Sequence, residues 1–151
     1  MKKSFTLIEM LIVIAIIGIL ATLGISSYLN SVKSGRDARR KSDLKAIQNS
    51  LEMYYQDVGA YPETGSLPFG DLFCHPDGCD TAKYIESVPK DPAGSDYVYN
   101  SDGTSYQLYS CIENPNDSGP GVQNYVPSCG SGICSQCRFG LSSSNSSLEK
   151  L

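Results

Sequence analysis

The chain predicts an α+β fold: one long N-terminal helix, apolar all round in its first half, packed in its second half on a small antiparallel β-sheet. Three observations lead there. No proline occurs before Pro62 in the 151 residues. Apolar residues fill positions 5–25 almost continuously, then recur only at three- and four-residue steps, through Leu44, Ile47, Leu51, Tyr54 or Tyr55, and Val58. After Pro62 the helical period is lost, and Gly, Pro, Asp and Ser alternate with short Tyr-rich runs.

The first element is the apolar run. Lys2 and Lys3 supply a basic start, and Phe5 to Ile25 is 21 residues long. That exceeds the apolar stretch of about 7 to 15 residues in a secretory signal and matches a bilayer span. Ala21-Thr22-Leu23 offers no small-x-small cleavage site. One charge, Glu9, interrupts the run. A charged side chain at mid-membrane costs roughly 2.5–3.5 kcal/mol on insertion scales, so it needs a partner.

The order Ser4-Phe5-Thr6-Leu7-Ile8-Glu9, followed by the apolar stretch Met10 to Ala21, resembles the N-terminus of type IV pilins and the related pseudopilins. The resemblance covers about the first fifth of the chain. It implies a leader at 1–4, cut by a prepilin peptidase between Ser4 and Phe5, and N-methylation of the new Phe5 amine. It also implies that Glu9 meets the N-terminal amine of a neighbouring copy, a pairing that makes a buried carboxylate tolerable. The chain departs from the family twice. Ser4 stands where the family usually has Gly, and Ser26 stands where many pilins have Pro. Gly18 and Gly24 remain as weak points in the helix.

The helix is expected to run from Phe5 to about Asp57, roughly 80 Å at 1.5 Å per residue. Gly59 and Pro62 end it. Ser31, Ser34 and Gly35 mark a weak point between its halves, and the Tyr54-Tyr55 pair reads as core. The predicted division is therefore a leader at 1–4, a transmembrane or filament-core helix at 5–27, a head at 28–141 and a flexible Ser/Asn-rich tail at 142–151.

Charge is split. Residues 1–50 carry +5 and residues 51–151 carry −9, for a net −4. The acidic head argues against nucleic-acid binding. Lys33, Arg36, Arg39, Arg40, Lys41 and Lys45 form a basic cluster after the span, read as a solvated helix face or one touching anionic headgroups. By the positive-inside rule this cluster would hold the head in the cytoplasm. The N-terminal signature and the cysteines outweigh it and place the head outside.

Residues 59–96 read as a connecting loop, with strong turn chemistry at Pro76-Asp77-Gly78. Val88 to Tyr99 contains Pro89-Lys90-Asp91-Pro92-Ala93-Gly94, which resembles a second family segment, a Pro-x-Asp-Pro-x-Gly turn leading into a Tyr-rich strand. Strands are expected at Tyr97–Tyr99 and Tyr106–Ile112, then around Asn124-Tyr125-Val126 and Arg138-Phe139-Gly140. Alternation in Tyr106–Ile112 predicts a strand with two distinct faces.

Six cysteines, Cys74, Cys79, Cys111, Cys129, Cys134 and Cys137, all lie in the head. An even count in an exported chain argues for disulfides, with 15 full connectivities. Local closure suggests Cys74 with Cys79, and the other four would knit the strand at Cys111 to the C-terminal segment. Family resemblance implies the same pinning of the C-terminal region. A zinc site from Cys74-x4-Cys79 and Cys134-x2-Cys137, or a redox-active Cys134-x2-Cys137, is the rival reading.

No catalytic constellation is present in the sequence. His75 is the single histidine, and no Gly-rich phosphate loop occurs. No cofactor is indicated. Glu113, Asn114, Asn116 and Asp117 are oxygen-rich, and some pseudopilins bind calcium in a loop after the sheet, but the spacing matches no recognised calcium loop.

The expected function is mechanical: a structural subunit of a type IV pilus-like filament, not an enzyme. The precursor sits as a single pass in membrane lipid and ends in a cell-surface pilus. The resemblance implies copies of itself, the prepilin peptidase and a platform membrane protein as partners, with an assembly ATPase acting through the platform. The alternatives are a pseudopilin of a type II secretion or DNA-uptake machine, or a minor pilin with an adhesive role. The cysteine-rich head favours the surface fibre over the piston.

Overall fold

The computed structural model describes residues 5–149, with positions 23, 24, 26 and 133 described as backbone only. A single helix, α1, runs Leu7–Val58 without a break, across Ser31, Ser34 and Gly35 as well. Its 52 residues make it about 80 Å long. Thr6 caps its N-terminus. Gly59 ends it in the left-handed conformation, φ 80°, donating its N–H to the Tyr55 carbonyl. A side chain at that φ is strained, so glycine belongs there.

Five strands follow: β1 Phe73–His75, β2 Gly78–Ile85, β3 Val98–Ser101, β4 Tyr106–Ser110 and β5 Phe139–Ser142. They form two antiparallel sheets, a β1–β2 hairpin and a three-stranded sheet in the order β3-β4-β5. The architecture is thus the expected α+β one, a long helix on small antiparallel sheets. Tyr99 faces Leu108, and Leu108 faces Leu141 across the three-stranded sheet.

The core lies between the second half of α1 and both sheets. Leu44, Ile47 and Leu51 are fully buried on the helix face, in one core with Tyr99, Tyr106 and Leu108 from the sheet and Ile112 just beyond β4. Tyr54 stacks on Phe73 at 5.1 Å and meets Tyr84 edge-on at 5.4 Å, fixing the hairpin to the helix. Tyr55 is partly exposed but stacks on Tyr61 at 4.5 Å.

The strand expectations differ from the structure in three places. Residues 73–85 form the hairpin β1–β2 where a loop was expected, because Pro76-Asp77-Gly78 is a turn flanked by pairing strands and Phe73 and Tyr84 have a core to enter. Asn124-Tyr125-Val126 forms no strand; Tyr125 donates its N–H to the Cys137 carbonyl and is otherwise irregular. The strand expected over Tyr106–Ile112 has the two distinct faces predicted, both covered, but ends at Ser110. Tyr106 and Leu108 pack under the helix side, while Tyr109 is fully buried with Tyr125 and Cys137 on the other.

Residues 142–149, expected as a flexible tail, are docked on the head. Ser143 N–H donates to the Tyr106 carbonyl, Val126 N–H donates to the Glu149 carbonyl, and Glu149 N–H donates to the Tyr109 hydroxyl. Composition misled here because Leu148 anchors the segment beside Tyr109. Gly140 makes room for it: a Cβ there would lie 3.0 Å from both Leu148 and Tyr109.

Candidate functional site

The first half of α1 is a bare apolar rod. Phe5, Leu7, Ile14, Ile19 and Leu29 are all more than half exposed, and the helix is long and apolar enough to cross a membrane. At its start, Thr6 and Glu9 form a reciprocal capping box. Thr6 donates from its backbone N–H (2.8 Å) and its hydroxyl (2.9 Å) to the Glu9 carboxylate, and Glu9 N–H donates to the Thr6 hydroxyl at 3.4 Å. The Glu9 carboxylate therefore sits at the positive end of the helix dipole and faces outward. Phe5 is exposed beside it, whereas Ser4 and the rest of the expected leader lie outside the described residues.

The basic cluster is a solvated face only in part: Arg39 and Lys45 are exposed as expected, but Arg36, Arg40 and Lys41 turn to carboxylates of the head. Arg40 is fully buried. Its guanidinium donates to both oxygens of Asp91 (2.6 and 2.9 Å), to Asp37 (2.9 Å) and to Glu113 (2.8 Å). Arg36 donates through two nitrogens to the same Glu113 carboxylate. Asp37 also accepts the backbone N–H of Glu113 and of Asn114. Lys41 holds Asp117 at 2.6 Å. A buried guanidinium is tolerable here because each of its directions meets a carboxylate. Sequence reasoning missed this network. The available signals were the i, i+3 pair Asp37–Arg40 and the acidic residue locked inside the Pro89–Gly94 turn.

The electrostatics follow from the contacts. The Arg36 hydrogen bond holds the Glu113 carboxyl down to about 2, with Arg40 adding to it against the cost of burial. Burial pushes Asp91 up, but the hydrogen bonds from Arg40 and from the Ala93 N–H outweigh it and hold the group below its usual range. Lys41 and the Gly119 N–H lower Asp117.

The oxygen-rich loop considered for calcium has its carboxylates occupied by protein cations: Glu113 by two arginines, Asp117 by Lys41. Among the described residues no cluster of three His, Cys, Asp or Glu side chains has metal-site geometry. The six sulfurs pair as Cys74–Cys79, Cys111–Cys134 and Cys129–Cys137. Cys134 and Cys137 thus bond to different partners, which leaves neither a dithiol pair nor a four-sulfur site. His75 sits in the hairpin turn, its Nδ1 accepting the Asp77 N–H.

The structure therefore brings together an apolar helix bearing one outward carboxylate and a head that is held to that helix by ion pairs and core packing and stapled within itself by disulfides. Two family models match the chain. Residues 1–25 match the family described as "Prokaryotic N-terminal methylation motif" and residues 27–128 match "Type II secretion system (T2SS), protein G". Among curated relatives, the type II secretion system core protein G of Vibrio cholerae is 34% identical over 106 residues, covering 68% of this chain and 73% of the relative. The protein of the same name from Pseudomonas aeruginosa is 34% identical over 118 residues, covering 72% and 82%. That from Escherichia coli is 32% identical over 121 residues, covering 72% and 80%. No solved structure matches. The relatives carry the name of the pseudopilin alternative, with which the broader expectation of a pilus-like subunit is compatible. This chain belongs to the type II secretion system protein G family, within the pilin-like proteins that share the N-terminal methylation motif.

Proposed function

We propose that this chain is a repeating structural subunit of a short filament in a type II secretion machine. The observation that supports it most is the helix Leu7–Val58, whose first half offers an apolar surface with a single carboxylate, Glu9, near its start. Such a rod is stable in a bilayer or in a bundle of its own kind. The precursor spans the membrane once. A prepilin peptidase cuts between Ser4 and Phe5, the Phe5 amine is methylated, and residues 5–27 enter the filament core.

In that core, Glu9 meets the N-terminal amine of a neighbouring copy. The Thr6 capping box supports this role by presenting the carboxylate at the end of the helix. A platform membrane protein feeds subunits into the filament, and an assembly ATPase drives it through the platform. The role is mechanical, not catalytic. The head stands on the non-cytoplasmic side, in keeping with disulfides being at home in oxidising compartments.

Intact-mass spectrometry of membrane and sheared cell-surface fractions tests the reading. The expected product lacks residues 1–4, carries one methyl group, gains six hydrogens on reduction of its three disulfides, and stays with the envelope. Processed protein dominating the sheared fraction would favour a surface pilus instead. An uncut chain in the membrane would leave a simple anchored domain and sink the proposal.

A further inference from the structure

Residues 111–138 leave the three-stranded sheet at the end of β4 and return at the start of β5, although those strands are neighbours. So long an excursion with almost no secondary structure is uncommon unless the loop has a task. Its only regular element is the short 3-10 turn Gly132–Cys134. Its own buried apolar side chains are Cys111, Ile112, Tyr125 and Cys137, with Val122 and Cys129 packed at the edge. That burial is small against the entropy of ordering such a segment. Three of those six side chains are half-cystines. Cys111–Cys134 and Cys129–Cys137 interleave along the chain, so each disulfide loop contains one end of the other. The protein G family match stops at residue 128, before three of these four cysteines and β5.

Among the described residues, the hydrogen bonds and ion pairs from this cap to the helix fall in one stretch, residues 36–41. Glu113 lies against Arg36 and Arg40, its N–H and that of Asn114 donate to Asp37, and Asp117 takes Lys41. Arg138, at the far end of the cap, donates to the Asn114 and Pro115 carbonyls and ties the two ends together.

We propose that the cap is an oxidation-dependent clasp: forming Cys111–Cys134 and Cys129–Cys137 closes residues 111–138 over the sheet and delivers Glu113 and Asp117 to Arg36, Arg40 and Lys41. Each closure turns two thiols into one disulfide by thiol–disulfide exchange, passing two electrons and two protons to a disulfide oxidant, which leaves as a dithiol. Access runs through Cys134, which is partly exposed and, with the buried Cys111, lines a cleft of about 510 Å³ shared with Arg36, Ala93 and Ser131. Cys74–Cys79 lies in the β1–β2 hairpin and takes no part. In the reduced chain the core face Leu44, Ile47 and Leu51 still holds helix to sheet, while the basic stretch loses its partners from the cap.

Hydrogen exchange on the full chain in detergent tests this. It compares the oxidised protein, a variant with Cys111, Cys129, Cys134 and Cys137 all changed to Ser, and a Cys74→Ser/Cys79→Ser control. In the four-serine variant, the amides of Glu113, Asn114, Gln123 and Tyr125 should exchange at least 100-fold faster. Those of β2 and of helix residues 44–51 should not change. The Glu113 carboxyl, followed by NMR, should titrate near its ordinary 4.5 instead of about 2. The control should keep the cap closed. Graded reduction of the wild-type chain with dithiothreitol should release the cap amides first. Unchanged protection in the four-serine variant, or loss of cap, hairpin and helix together under both treatments, would overturn the clasp.

Discussion

The N-terminal end and the middle of one helix hold their charges in opposite ways. At the N-terminal end, the Glu9 carboxylate faces outward, and among the described residues its hydrogen-bond partner is Thr6, three positions away. At mid-helix, Arg40 is sealed among Asp37, Asp91 and Glu113, drawn from the helix and two separate loops. The first arrangement is left open to another molecule. The second is complete within the chain. The same contrast holds for apolar surface, since Ile8 to Leu29 bury little while Leu44 to Leu51 bury everything on one face. A chain built this way carries a finished head and an unfinished stalk, as a polymer subunit must.

The sharpest way to break the finished half is Arg40→Ala. It leaves Asp37 and Asp91 without their cation and Glu113 with Arg36 alone, and removing one partner of a buried ion network costs about 3–5 kcal/mol. Denaturation of the full chain in detergent, followed by tyrosine near-UV circular dichroism, should show that loss. Acid probes the same network. Glu113 and Asp91 are held below their unfolded values, so their contribution is fully present above about pH 4.5. It fades as pH falls through the folded values, toward about 2 for Glu113. An Arg40→Ala chain should lose the Asp91 part of this acid dependence and keep the part of Glu113 that Arg36 holds, in a pH series of unfolding midpoints.

Leu51→Ala comes next. Leu51 is fully buried between helix and sheet, and such truncations cost about 2–5 kcal/mol. Its effect should fall on the head alone and leave membrane insertion of the precursor unchanged, as read by carbonate extraction. The smallest effect belongs to Cys74→Ser/Cys79→Ser. That bond closes a separation of 5 residues, for which loop entropy predicts about 2 kcal/mol. The hairpin should stay docked through Tyr54, Phe73 and Tyr84.

Legibility in the sequence followed the range of the interactions. The helix was readable from end to end, because its apolar run, its three- and four-residue stripe and Gly59 are local signals. The Glu9 position was readable because a lone carboxylate in an apolar run is conspicuous. Arg40 was not, because its partners Asp91 and Glu113 lie 51 and 73 positions away and only folding brings them together. The β1–β2 hairpin was hidden by turn residues that signalled a loop without revealing that strands flank it. The docking of 142–149 was hidden because Leu148 is one apolar residue in a polar stretch, and its pocket exists only where Gly140 passes Tyr109.

The central claim is that Glu9 is kept for a neighbouring copy. Replacing it by Gln keeps an acceptor for the Thr6 capping bond but removes the charge. Filament yield from cells that make the full machinery, counted by electron microscopy for Glu9→Gln against wild type, tests it most directly. The account predicts that the variant is inserted, cut and disulfide-bonded yet assembles at least tenfold fewer filaments. Filaments at wild-type yield would contradict it, since the carboxylate would then serve only to cap its own helix.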